Sequence, residues 1–183
     1  MKKLGHSFYQ RDAKKLARDL IGTILVRRVR GKECRARIVE TEAYIGPHDL
    51  ASHSSKGRTK RTKVMFGRAG HAYVYLVYGM YEMFNIVAGK TGSGQAVLIR
   101  AADPLGGWKA DLSGPGKLTR SLKITRSVNG QDLTKDMLYL VFDPVYRPRA
   151  RRAKRIGVEY AGEWKHKLLR FYDDKSMAVT HRP

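Results

Sequence analysis

The chain holds a single cysteine, Cys34, among its 183 residues. One thiol can form no internal disulfide, and with no CxxC companion it offers no zinc clasp, so a reducing compartment is the natural setting. Long uncharged apolar runs are absent: none approaches the roughly 20 residues a membrane-crossing helix needs. The N-terminal MKKLGHSFYQ is basic but lacks the apolar segment of a secretory signal. A soluble protein without a membrane partner is expected. Internal repeats, low-complexity tracts and linkers are also missing, so residues 1–183 read as a single domain, large enough to bury about two thirds of the unfolded surface. A GxxxxGK[ST] loop is absent, and Thr91-Gly-Ser-Gly94 is too short to cradle phosphates and reads as a turn. Acids are scarce: 16 Asp and Glu stand against 37 Lys and Arg, a net charge of +21. Such an excess repels itself, and its use is to meet a polyanion, either nucleic acid or an anionic membrane surface.

The cations are clustered. Lys56, Arg58, Lys60, Arg61, Lys63 and Arg68 fall between Leu50 and Tyr81 with no acid among them, and Arg147, Arg149, Arg151, Arg152, Lys154 and Arg155 crowd a second run. Beside the first cluster lies HAYVYLVYGMYEMFN, from His71 to Asn85, with four tyrosines and a phenylalanine. Its two-residue period puts Tyr73, Tyr75 and Val77 on one face and Val74 and Leu76 on the other. Tyr78-Gly79-Met80 interrupts the alternation, which resumes at Tyr81, so the stretch reads as a β-hairpin with Tyr78 near its tip. Taken alone, the tyrosines suit a sheet core with hydroxyls at its margin.

Around this hairpin the chain reads as a mixture of helices and strands. Phe8, Ala13, Leu16, Ala17 and Leu20 have helical spacing, with Gly22 as a stop. Residues 23–29 read as a strand, and Gly31-Lys32 turns the chain into a second strand from Cys34 to about Tyr44. Strict alternation would place Ile38, Glu40 and Glu42 on one face and Val39, Thr41 and Ala43 on the other. The two glutamates either pair with arginines at a rim or include a general base, and spacing alone does not choose. The polar loop that follows contains His53, which has no Cys or His at i+3 or i+4 and so makes a poor metal site. Further on come a strand over 95–101, an irregular 104–113 connection, a helix opening at Pro115, a strand over 137–142, a basic loop or helix start over 147–155, and a closing strand over 168–172.

Five strings then carry a resemblance: IVETEAYIGPHDLASHS, GRTKRTKVMFGRAGHAYVYLVYGMYEMFNI, AVLIRAADPL, SGPGKL and RIGVEYAGEWKHKLLRFY. In this order, from about Leu20 to Tyr172, they resemble the alkyladenine (3-methyladenine) DNA glycosylase family, with ETEAY, YVYxxYGMY and SGPxKL as the specific motifs. The resemblance implies a single α+β domain with a curved, mostly antiparallel sheet flanked by helices and a protruding β-hairpin. It implies monofunctional excision of damaged purines from double-stranded DNA in base-excision repair, without metal or organic cofactor. The expected setting is a monomer in the bacterial cytoplasm at the nucleoid, or the nucleus if the source is eukaryotic.

Residue by residue, the match makes Glu42 the general base for a water that Arg100 and the Ile156 carbonyl help to hold. Tyr44 and Tyr75 would stack on the flipped base, His53 would contact it, and Asn85 would crowd out a guanine 2-amino group. Tyr78 and Met80 would wedge the duplex, while Arg58, Thr59, Arg61 and Lys117 would touch its backbone. Glu40, Tyr73 and Tyr81 are left as structural residues. Extrusion of a base requires such a wedge, slot and phosphate grip. The chain departs from the family at Lys60 and Thr62, where a proline and an asparagine are common, so the rigidity of that loop and its DNA footprint are open. The competing expectation from another class is a noncatalytic basic RNA-binding or ribosome-associated protein.

Overall fold

Asp12 starts the first substantial helix by accepting the Lys15 amide on its carboxylate, and the helix, α2 (Ala13–Leu20), buries Ala13, Leu16, Ala17 and Leu20. Phe8 belongs to a separate turn of helix, α1 (His6–Tyr9), so the helical spacing spans two elements. The computed structural model describes residues 1–182. Strands β1 (Ile24–Val29), β2 (Lys32–Tyr44), β3 (Ala72–Val77), β4 (Tyr81–Ala88), β5 (Gln95–Leu105), β6 (Leu138–Val141), β7 (Ala150–Ala153) and β8 (Arg170–Asp173) form one curled sheet, and α3 (Pro115–Ser121) lies against β4 and β5. The pairings between these strands are antiparallel, in the order β3-β4-β5-β2-β1-β6, with β8 joining β2 and β7 joining β8. The expected single α+β domain, with its sheet, flanking helices and hairpin, is what forms.

The long strand β2 is the hub. From Arg35 to Tyr44 it meets β5 on one edge, while the other edge is shared by β1 and then β8. One sheet face carries the large core, where Leu16 and Leu20 of α2 meet Ile38, Ile86, Val97, Ile99 and Phe171. Removing this much apolar surface from water is the main stabilising term. The opposite face carries only small clusters: Val39 with Ala101 and Tyr172, Met65 with Tyr73 and Val87, and Ala51 with Val158 and Ala161. A cleft opens between them.

Three local expectations are corrected. The register of β2 on β5 slips at Val39 and Glu40, a β-bulge that interrupts the two-residue period. Ile38 therefore faces the large core with Ala43, and Thr41 donates its hydroxyl to the Ala17 carbonyl of α2, while Val39 sits on the cleft side near Glu40 and Glu42. The strand at Gln95 runs on to Leu105, with Pro104 opposite Ala36, and shortens the irregular connection. The Arg147–Arg155 run contains a strand, β7, whose charged ARRA sequence fits an exposed edge.

Candidate active site

Register alone aligns the centre of the cleft. Tyr73 lies opposite Asn85, Asn85 opposite Leu98, and Leu98 opposite Glu42, so one row crosses four strands. Directly opposed residues share a face, and this row lines a cleft of about 230 Å³. The neighbouring rows bring Tyr75 opposite Met83 on one side and Tyr44 opposite Ala96 on the other. Residues separated by tens of positions thus meet because the strands pair in one register.

Glu42 is fully buried from bulk solvent and held on both oxygens. Oε1 accepts the Ile156 amide at 2.8 Å and faces the Arg100 Nη1 at 3.3 Å, while Oε2 accepts the Tyr44 hydroxyl at 2.9 Å. Burial, and then the charge of Glu42, push the Tyr44 hydroxyl well above its ordinary value, so it keeps its proton and donates. The backbone of Ile156 thus meets Glu42 through its N–H. Arg100 bridges the two glutamates, since its Nε donates to Glu40 at 3.1 Å.

His53 closes the other wall. Its Nδ1 shares a 2.9 Å hydrogen bond with the Tyr73 hydroxyl, and its ring meets Tyr75 edge-on with centroids 4.4 Å apart. Burial, aided by the Arg61 charge, lowers its pKa to about 4, leaving the imidazole neutral near pH 7. Tyr73, assigned to packing by sequence, therefore also orients a cleft residue. Burial raises the Tyr75 hydroxyl well above its usual range. Asn85 is buried and donates its side-chain amide to the Tyr73 and Met83 carbonyls.

Tyr78 and Met80 stand at the hairpin tip, 88% and 65% exposed. Tyr78 and Gly79 both have positive φ, +51° and +70°, and the Met80 amide closes the turn on the Val77 carbonyl. Two successive left-handed residues within the three-residue connection Tyr78–Met80 match the twist of the strands it joins. Tyr81 packs on α3, where Gly116 has room only for hydrogen: a Cβ there would come within 2.9 Å of the tyrosine ring.

Of the expected backbone-contacting residues, Arg58 and Thr59 are exposed, and the Arg61 guanidinium lies 5.0 Å from the Tyr75 ring centre, at the cleft wall. Lys117 is exposed on α3 and paired with Asp111 at 2.8 Å. The unusual Thr62 is buried: its hydroxyl donates to the Gly57 carbonyl and accepts the Thr59 amide. The loop is thereby pinned at the position of one departure, while Lys60 points to solvent.

Several residues at the site escape sequence reasoning. Asp49 and Arg155 form a fully buried bidentate pair at 2.6 and 2.8 Å, and Arg155 also donates to the Ala43 carbonyl at 2.9 Å. This pair fixes the residue next to Ile156 and holds a cation 4.8 Å from the Tyr44 ring centre. Glu40 is met by Arg170 at 2.9 Å and by the amide and hydroxyl of Thr180. Tyr160 lines the mouth and reaches the Ala51 carbonyl. None of these pairings has a local signal. Among the described residues, no three His, Cys, Asp or Glu side chains gather where they could hold a metal ion, and no helix is long and apolar enough to cross a membrane.

The cleft thus sets tyrosine walls beside a buried carboxylate on a strongly basic protein. The family model described as methylpurine-DNA glycosylase matches residues 7–177. A protein of Legionella pneumophila strain Corby, provisionally named a 3-methyladenine DNA glycosylase, is 48% identical over 179 residues, covering 94% of each chain. Proteins with the same provisional name from Anaeromyxobacter sp. strain Fw109-5 and Methanocella arvoryzae are 47% and 45% identical, covering 99% and 98% of this chain and 94% and 96% of their own. The chain belongs to the methylpurine-DNA glycosylase family. It is a DNA glycosylase, a hydrolase of N-glycosyl bonds that binds DNA in the service of repair, and the noncatalytic RNA-binding alternative is set aside.

Proposed function

We propose that the protein excises alkylated purines, 3-methyladenine among them and with deaminated or etheno purines as further candidates, from double-stranded DNA by direct hydrolysis. The observation that carries this reading is the row that brings Glu42 beside the tyrosine walls of the cleft. The flipped base stacks between Tyr44 and Tyr75, and a cationic alkylpurine gains about 0.5 to 2 kcal/mol from the electron-rich rings. Neutral His53 contacts the base without opposing its positive charge, and Asn85 crowds a guanine 2-amino group. Tyr78, with Met80, fills the gap left in the duplex. Arg58, Thr59, Arg61 and Lys117 steady the backbone, Lys117 by exchanging Asp111 for a phosphate.

Glu42 takes a proton from water as the water oxygen bonds to C1′. The C1′–N bond breaks, and its electron pair passes to the base, which leaves neutral if it was alkylated to a cation. Glu42 also stabilises the oxocarbenium-like sugar, as glycosidase carboxylates do. The Arg100 guanidinium and the Ile156 backbone fix the carboxylate and the water path. Water as nucleophile makes the enzyme monofunctional, with residues 1–183 acting as one monomeric domain.

The test is chromatographic detection of free base released from alkylated duplex DNA. The parent protein is expected to release it and Glu42→Gln is not; release at the parent rate would exclude Glu42 as the base. Tyr78→Ser is expected to retain DNA binding and to lose single-turnover rate on duplex, so an unchanged rate would remove Tyr78 from the wedge role.

A further inference from the structure

We propose that the groove between α2 and β7 binds a second DNA duplex while the cleft is occupied by the first. Helical spacing turns Ala13, Leu16, Ala17 and Leu20 inward and leaves Lys14, Lys15 and Arg18 on the outer face of α2. Across from them, β7 is a sheet edge that pairs only with β8 and exposes Arg151 and Arg152. These five cations and the Phe171 ring border one groove of about 500 Å³.

The groove is electrostatically unfinished. Its one acid, Asp12, is occupied at the start of α2, where it accepts the Lys15 amide. Arg18 and Arg151 have carboxylates no nearer than 3.6 Å, and Lys14, Lys15 and Arg152 have no ion-pair partner among the described residues. Other cations, just before α2 and in the sheet, are matched closely: Arg11 with Asp19 at 2.6 Å, Arg37 with Asp143 at 2.8 Å, Arg28 with Glu33 at 2.8 Å. Five cations against one lining carboxylate, with Asp19 and Asp174 only loosely engaged by them, leave an excess of positive charge, and a line of phosphates relieves this while releasing condensed counterions.

Position makes this a separate site. Thr41 points to α2 and Glu42, its neighbour on β2, points to the cleft, so the sheet lies between groove and cleft. A duplex presenting a base to Glu42 is kept from the groove by that layer. The partner is duplex DNA because the protein works among DNA segments, and phosphates are the only chemistry the groove asks for. The consequence is a protein that holds two segments and passes between them. The inference rests on DNA binding and needs no particular lesion.

The experiment charges beads with a lesion-free duplex, saturates it with protein, and measures capture of a second, labelled duplex. The parent is expected to capture it. Lys15→Glu/Arg152→Glu should lose capture by roughly ten-fold near 0.1 M salt, while its single-turnover base release at saturating DNA stays within roughly two-fold of the parent. A control with the same change of net charge, Lys32→Glu/Lys135→Glu, should keep capture. The proposal is overturned if the parent captures nothing, if the groove variant captures as the parent does, or if the control loses as much. It is equally overturned if an RNA hairpin displaces the second duplex at lower concentration than DNA does. Aggregation of the groove variant with capture intact would mean that the arginines only guard an open strand edge.

Discussion

Glu40 and Glu42 lie two residues apart on one strand, equally buried, and share Arg100, yet their surroundings differ in kind. Glu40 is enclosed by two guanidinium groups and by the amide and hydroxyl of Thr180. Glu42 is held by one guanidinium, one backbone amide and one tyrosine hydroxyl, and borders the cleft. The first arrangement satisfies a charge and the second aims one. Burial is the same for both, so it does not mark out the proposed general base; what separates them is which neighbours complete each shell.

The largest effect should come from Glu42→Gln, which removes the proposed proton acceptor and keeps the shape. Base release is expected to fall about 10² to 10⁴-fold, with the urea midpoint lowered less than in Glu40→Gln, since Arg100 keeps Glu40 as its counter-charge. Glu40→Gln should invert this profile, since it strips Arg100 and Arg170 of a buried counter-charge and costs about 3–5 kcal/mol in urea unfolding. Its surviving folded fraction should release base faster than Glu42→Gln does; equal inactivity would erase the distinction between the two.

A smaller change tests the support of Glu42 from behind. Asp49→Asn breaks the charge pairing of Arg155 and loosens the segment that presents the Ile156 amide. Its expected cost is about 1.5–3 kcal/mol of stability, with kcat falling and KM nearly unchanged. A rise in KM alone would assign the pair to DNA binding instead. The mildest test concerns His53, whose folded pKa of about 4 lies below its ordinary 6.5. Between those values the unfolded chain takes up a proton that the folded chain refuses, so stability is full above pH 6.5, falls as pH drops and levels off below about 4. Urea midpoints across this window should show one proton less of slope in His53→Gln.

The parts of this site that follow a period were legible in the sequence. The alternation of the hairpin put Tyr73 and Tyr75 on one face, Tyr78-Gly79 marked its turn, and the spacing of Leu16, Ala17 and Leu20 marked the buried side of α2. The bulge at Val39 and Glu40 was not legible, because neither glycine nor proline announces it and the mismatch with β5 exists only once both strands are paired. Strand β7 was hidden by its own arginines, since an exposed edge leaves no apolar alternation to read. Asp49 and Arg155 are separated by 106 positions, and nothing local in either predicts the other. The ETEAY motif carried Glu42 through resemblance, whereas the reason for Glu40 beside it emerged only from the packing of distant segments.

The Thr180 contact with Glu40 spans 140 positions, and this gives synthesis a schedule. At about 5–20 residues per second, a ribosome needs on the order of ten seconds to travel from one to the other. During that interval the middle of β2 carries a carboxylate whose partners Arg100, Arg170 and Thr180 arrive one after another. The nascent chain can form α2 and the β1–β2 hairpin early, but the burial of Glu40 must wait for its last donor. Stalled or clipped chains that stop short of residue 180 should therefore be held open at β2 and exposed to proteolysis, so that quality control removes them before they can occupy DNA.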